Sequence, residues 1–325
     1  MTPLGISRKR VLAIAAAAAT LFSGVAVAQS TAPAADGTPV RLTVTAMAKE
    51  KNQETPALEK QDFAVYEGKD RRPVLKAVAQ KGPDDRLDLY IVVDDSIDSA
   101  VTLNYPDIKN FVRELPTPAR VGLLYTMNGT VQIAQDLTDD RDAALSKLRI
   151  PIGRAGVAGG IYLSLADLAK RLPEIPGRRY AILFLSSGID TFRGIGSTSP
   201  GLNPDLQTAI DRLNRAQITV FSIYVSPAAH FGRSFYLVSN GQSCLSRLAD
   251  ETGGEAYFQG FGTPISMTPF LNEMQQHLAN QYLVTFAAKP RNKAGFTGVK
   301  VRTETSGVEL DAASKAWVPG AGAKQ

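Results

Sequence analysis

Apolar and polar residues alternate at Val40, Leu42, Val44 and Ala46, which is the period-two signature of a half-buried strand. A second run, Gln61 to Glu67, is followed by the turn Gly68-Lys69-Asp70 and a third run, Pro73 to Val78, so a small antiparallel β unit is predicted over 39–80. The breaker Lys81-Gly82-Pro83-Asp84-Asp85 changes the pattern. Leu87-Asp88-Leu89-Tyr90-Ile91-Val92-Val93 is almost continuously apolar, as in a strand covered on both faces of a parallel sheet. Helical patterns then alternate with strand patterns. Helices are predicted over 105–115, 139–148, 161–171, 204–216, 242–252 and 268–278, and strands over 120–127, 130–134, 179–185, 218–225 and 256–258. Asn128-Gly129 reads as a hairpin turn, and Gly253-Gly254 as a left-handed helix stop. After residue 280 the period returns to two, at 281–288, 299–303 and 308–310.

Strands alternating with amphipathic helices predict an α/β fold: a doubly wound, mostly parallel sheet with helices on both faces. The hairpin 120–134 adds one antiparallel strand at its edge. The expected organisation is an α/β domain over 86–280, flanked by a β segment at 39–80 and another at 281–312 that together make one small β unit. A tail follows over 313–325, with PGAGAKQ at 319–325 lacking any pattern.

The first 28 residues read as a secretory signal. Arg8-Lys9-Arg10 is followed by an apolar run from Val11 to Val25 and the small-x-small site Ala26-Val27-Ala28. Gln29 is the expected new terminus and 29–38 a flexible leader; an uncleaved anchor is the other reading. The expectation is an exported chain, periplasmic or secreted, with no membrane span after signal removal. The net charge of +5 owes much to this segment, because without it 33 basic residues face 31 acidic ones. A near-neutral mature chain gives no electrostatic reason to expect nucleic acid as partner. Cys244 is the one cysteine, so no intrachain disulfide forms. It reads as a buried residue of a helix, with a reactive or intermolecular thiol as the sharper alternative.

In open α/β sheets ligands sit beyond the carboxyl ends of the strands. Three loops should meet there: Asp94-Asp95-Ser96-Ile97-Asp98-Ser99, Gly156 to Ile161, and Ser186-Ser187-Gly188-Ile189-Asp190. The first is rich in oxygen donors of the kind that suit Mg²⁺ or Ca²⁺. Asp94, Ser96 and Asp98 are spaced to point the same way; a solvated acidic loop capping the next helix is the plainer reading. The strand ending in Asp94-x-Ser96, the helix–strand alternation, and Leu248-Ala249-Asp250-Glu251-Thr252-Gly253-Gly254 before a short aromatic strand resemble the von Willebrand factor type A family over about 86–280, a span set by motif positions and usual domain size. Asp62-Phe63-x-Val65-Tyr66-Glu67-Gly68 and Gln281-Tyr282-Leu283-Val284 resemble a secreted, VWFA-related bacterial subgroup common in acidobacteria.

That resemblance implies a metal-ion-dependent adhesion site, with Asp-x-Ser-x-Ser in the first loop, Thr in the second and Asp in the third, completed by an acidic residue of a protein partner. Here Asp94 and Ser96 match, Asp98 stands at the third position beside Ser99, Ile161 at the Thr position and Ser187 at the Asp position. The expectation is a degenerate site without cofactor, on a non-catalytic binding, adhesion or scaffold module. A cation-dependent adhesin using Mg²⁺ or Ca²⁺ on Asp94, Ser96 and Asp98 is the alternative. Without a cation, Asp94, Asp95 and Asp98 should repel and titrate high.

The expected partner is a protein of the cell envelope or outside the cell, met by Asp95, Ser99 and Asp190 and by aromatics of a long loop at 226–241, Phe231, Phe235 and Tyr236. Those aromatics could equally fold back as a local cluster. No G-x-S-x-G, phosphate-binding G-x-x-x-x-G-K-[ST] or G-x-G-x-x-G context is present. The two histidines, His230 in a surface loop and His277 on the polar side of its helix, form no nucleophile–base pair. An enzyme with an unrecognised site is the remaining alternative.

Overall fold

The structure is a computed structural model, and it describes residues 37–50, 53–82, 85–153, 159–172 and 178–321. The expected signal at 1–28, most of the leader, Pro83 and Asp84, the segment 156–158 of the second loop and the last four residues lie outside the described residues.

Six strands form the central sheet: β5 (Leu87–Asp94), β6 (Arg120–Met127), β7 (Thr130–Thr138), β8 (Arg179–Ser186), β9 (Ile218–Tyr224) and β10 (Ala256–Tyr257), in the order β10-β9-β8-β5-β6-β7. All neighbours run parallel except β7, which returns antiparallel to β6 at the edge. The hairpin works because Asn128 and Gly129 both take positive φ, 48° and 77°, the twist that joins two right-twisted strands in two residues. Every residue of β5, β8 and β9 is buried, which is why these sequences carry no polar face.

One sheet face is covered by α1 (Tyr105–Glu114), α2 (Arg141–Leu145) and α6 (Thr268–Ala279), whose Ile108, Phe111, Leu145 and Leu271 pack with Leu89, Ile91 and Leu123. The other face is covered by α3 (Ile161–Arg171), α4 (Pro204–Arg215) and α5 (Phe235–Thr252), packed on Val92, Ile182 and Val220. This is the doubly wound arrangement.

The strands on either side of this unit pair with each other. β1 (Thr38–Ala48), β4 (Val74–Ala79), β11 (Gln281–Ala288) and β13 (Val308–Ala312) form one four-stranded sheet, ordered β13-β1-β11-β4. β2 (Ala64–Glu67), β3 (Asp70–Arg72), β12 (Gly295–Arg302) and β14 (Lys315–Val318) form another, ordered β14-β12-β2-β3. Val40, Leu42, Val44, Phe63, Val284, Phe286, Val299 and Val301 fill the space between them.

Three elements differ from the sequence expectation. The long loop at 226–241 is mostly helical: a 3-10 turn at Ala229–Arg233 leads to α5, which begins at Phe235 rather than 242. The tail expected from 313 contributes β14, paired with β12, so its Trp317 sits edge-on to Phe296 at 5.0 Å between ring centres. His277 lies on the buried side of α6, packed edge-on against Phe221, not on the polar side. Burial without a charged neighbour pushes its pKa down to about 4.

Candidate functional site

Asp94 ends β5 and is fully buried. One carboxylate oxygen, Oδ1, accepts from the Ser96 backbone N–H at 2.9 Å and the Ser96 hydroxyl at 2.6 Å; the other, Oδ2, accepts from the Ser186 hydroxyl at the end of β8, at 2.7 Å. Ser186 Oγ in turn accepts from the Gly188 N–H at 3.0 Å. The first and third loops are therefore joined through a single carboxylate. Burial raises the Asp94 pKa, the three hydrogen bonds lower it in part, and the Asp190 charge raises it further.

Asp190 is 3% exposed. Its Oδ1 accepts from the Gly160 N–H at 3.1 Å and the Phe192 N–H at 3.0 Å, while its Oδ2 has no hydrogen-bond partner. Gly160 is the residue before α3, so Asp190 ties the third loop to the second. Tyr162 repeats the tie, its hydroxyl donating to the Gly188 carbonyl at 2.8 Å. Burial raises the Asp190 pKa too. The third loop can lie this low because two glycines meet under it. A Cβ on Gly188 would come 2.2 Å from the Gly241 carbonyl oxygen, and one on Gly241 would come 2.2 Å from that of Ser187.

The other predicted site residues separate. Asp95 is 1% exposed and turns away from Asp94: its two oxygens pair with the Arg149 guanidinium at 2.7 Å each, and one also accepts from the Ile152 N–H. Arg149 supplies its counter-charge. Asp98 is also turned to structure. Its carboxylate caps the Ser99–Asn104 turn through the Ala100 N–H at 2.7 Å, so it does not point with Asp94 and Ser96. Among the described residues no three acids, histidines or cysteines converge as a metal group. Ile161 is buried in the apolar layer under α3, and Ser187 Oγ accepts from the Ile189 N–H. Ser99 is exposed as expected. Asp190, expected at a partner contact, is buried and has one oxygen, Oδ1, on the two backbone amides. Phe231 is half-buried, whereas Phe235 and Tyr236 are 69% and 55% exposed at the start of α5. Phe235 rests edge-on against Phe261 at 5.2 Å.

Two residues that tie this rim together escaped the sequence reading. Ser186 stood in the quoted third loop, and a hydroxyl ending an otherwise apolar buried strand was its signal. Arg149 gave none, standing 54 residues from Asp95 and four residues past the end of the short helix α2.

No family model matches the chain, and no curated protein does. Solved structures match at low identity. An aerotolerance-related membrane protein from Bacteroides fragilis is 13% identical and covers 59% of this chain and 98% of its own, at TM-score 0.44. A von Willebrand factor type A protein from Catenulispora acidiphila is 11% identical over 88% of this chain and 75% of its own, at 0.41. The ArnB paralog VWA2 from Sulfolobus acidocaldarius is 9% identical over 89% and 73%, at 0.40. The strand order β10-β9-β8-β5-β6-β7, its antiparallel edge strand and the loops meeting beyond Asp94 give the α/β unit a von Willebrand factor type A-like fold.

Proposed function

We propose that the protein is an exported, non-catalytic binding module that receives a protein partner on the carboxyl rim of its central sheet. One observation carries the reading. Of the thirteen large apolar side chains exposed among the described residues, eleven stand on segments between the carboxyl end of a sheet strand and the first turn of the next helix, or on the segment that closes over Asp95: Leu103, Ile150, Ile152, Phe192, Ile195, Leu202, Phe235, Tyr236, Phe258, Phe261 and Ile265. Single exposed apolar residues need no explanation; their gathering on one rim marks an interaction surface. The buried network beneath, Asp94 to Ser186 and Asp190 to Gly160, holds those loops in place without a partner.

Several features support a binding rather than a chemical role. The Cys244 thiol is buried, donates to the Thr198 carbonyl and is pushed up to about 11. His277 is held neutral in the core. Residues standing where the related family holds a divalent cation do not fit that set: Ile161 has no donor oxygen, Ser187 no charge, and both Asp94 oxygens are occupied by hydroxyls. No helix among the described residues is long and apolar enough to cross a membrane, and a near-neutral mature sequence gives no electrostatic support to nucleic-acid binding.

The test is affinity capture from envelope and medium fractions with the native chain and with Phe192→Ser/Phe235→Ser/Ile265→Ser. Partners retained by the native chain should be lost at unchanged melting temperature, and equal recovery would overturn the reading. N-terminal sequencing of the exported form should find Gln29.

The unpartnered Asp190 Oδ2 beside Asp94 favours a second reading, in which Asp94, Ser96 and Asp190 hold Mg²⁺ or Ca²⁺ with Asp190 in place of Asp98. Calorimetry with Mg²⁺, Mn²⁺ and Ca²⁺ decides: heat abolished by Asp94→Ala supports it, and silence supports the metal-free module.

A further inference from the structure

At the opposite end of the α/β unit, where β9 begins and α4 and α5 end, a cleft of about 650 Å³ separates that unit from β1 and β14. Its size is that of a site for a small molecule, and junctions between layers are where such sites tend to form. Its charged lining is entirely cationic: Arg41, Arg215 and Lys315, with no carboxylate. Arg41 sits on the outer face of β1, alternating with Val40 and Leu42 of the sandwich core. Among the described residues it has no acid within ion-pairing distance. Arg215 lies over the Trp317 ring at 4.5 Å. Lys315 is 3.6 Å from Glu251, but Glu251 is shared with Arg247 at 2.7 Å. The partial negative ends of α4 and α5 offset some of the charge near Arg215 and Lys315; Arg41 belongs to neither helix.

One residue lining the cleft carries an unmet acceptor. Asn214 is 5% exposed, donates its amide to the Glu251 carbonyl at 3.0 Å, and leaves Oδ1 with no partner. An orphaned buried acceptor is unfavourable unless something donates to it.

We propose that this cleft binds a small hydroxylated organic anion of the acidic-sugar class. Its carboxylate or phosphate is held by Arg41 and Arg215, a hydroxyl donates to Asn214 Oδ1, and its carbon skeleton lies against Trp317. Bound there, the anion bridges β1, the end of α4 and β14. The proposal stands apart from the rim, since none of its residues lies beyond a strand's carboxyl end.

Calorimetry on the full chain with galacturonate, glucose 6-phosphate, galactose and inorganic phosphate tests it. At least one of the two anionic sugars should bind, with galactose silent and inorganic phosphate at least tenfold weaker. Which sugar binds identifies the anionic group. Arg41→Glu, on a half-exposed position, should abolish binding at unchanged melting temperature. Asn214→Asp, which sets a carboxylate in the cleft, should weaken it at least tenfold. Absence of heat with both anionic sugars at millimolar concentration overturns the proposal. So does equal affinity for inorganic phosphate, which would leave only a simple anion site, or unaltered binding by Arg41→Glu.

Discussion

His277 couples the fold to pH. Its pKa is about 4 in the folded protein against about 6.5 unfolded, so the unfolded chain takes up the proton first as pH falls. Stability is therefore complete above pH about 6.5 and declines towards pH 4, by about 3 kcal/mol for this one group. Asp94 and Asp190 act in the opposite sense, because their raised pKa values favour the folded state as they protonate. Urea midpoints for the native chain and His277→Leu at pH 7 and pH 5 isolate the histidine: the native chain should lose more between the two. Gly241 sets a second limit. Gly241→Ala puts a Cβ 2.2 Å from the Ser187 carbonyl, so the third loop or α5 must move, and a loss of about 3 kcal/mol in chemical denaturation is expected.

The same residues show what a sequence can and cannot disclose about a site. Asp94 and Ser96 were legible because Asp94 ends an apolar strand and Ser96 follows two residues on. The partners of Asp95 and Asp98 were not legible, because they are remote or local in ways spacing does not encode: Arg149 arrives from 54 residues away, and the Ala100 amide is offered only once the 3-10 turn forms.

At the scale of elements, the periodicity located nearly every strand and helix of the α/β unit, since buried parallel strands and one-sided helices leave strong patterns. It failed at the start of α5. There Phe235 and Tyr236 face solvent and Gly241 interrupts the helical run, and both departures follow from the rim: the aromatics form its surface and the glycine admits the third loop. It failed again at β14, four residues whose strand character comes from pairing with β12. The side of α6 that carries His277 was readable in principle, for Leu271, Met274, His277 and Leu278 form one stripe. Caps are similarly local. Asn203 Oδ1 accepts from the Asp205 and Leu206 amides at 3.0 Å each, so Asn203→Ala should cost about 1–2 kcal/mol, read as a lower melting temperature.

Across the whole molecule, one buried cation spans the junction of the two layers. Arg179 opens β8, pairs with Asp85 just before β5, and donates to the Leu278 carbonyl and to Gln281 at the head of β11. Removing it strands Asp85 in the interior. Arg179→Ala should therefore cost about 3–5 kcal/mol, and a broadened or two-step urea transition would show the sandwich loosening from the α/β unit.

β1 takes its register from β11, with Thr38 opposite Ala288 and Thr45 opposite Gln281. The first strand among the described residues must therefore wait, unpaired, until some two hundred and forty residues later its mate is made. A ribosome delivering this protein end-first holds an adhesive apolar ribbon for nearly the whole passage, and only the closing stretch can clasp it shut.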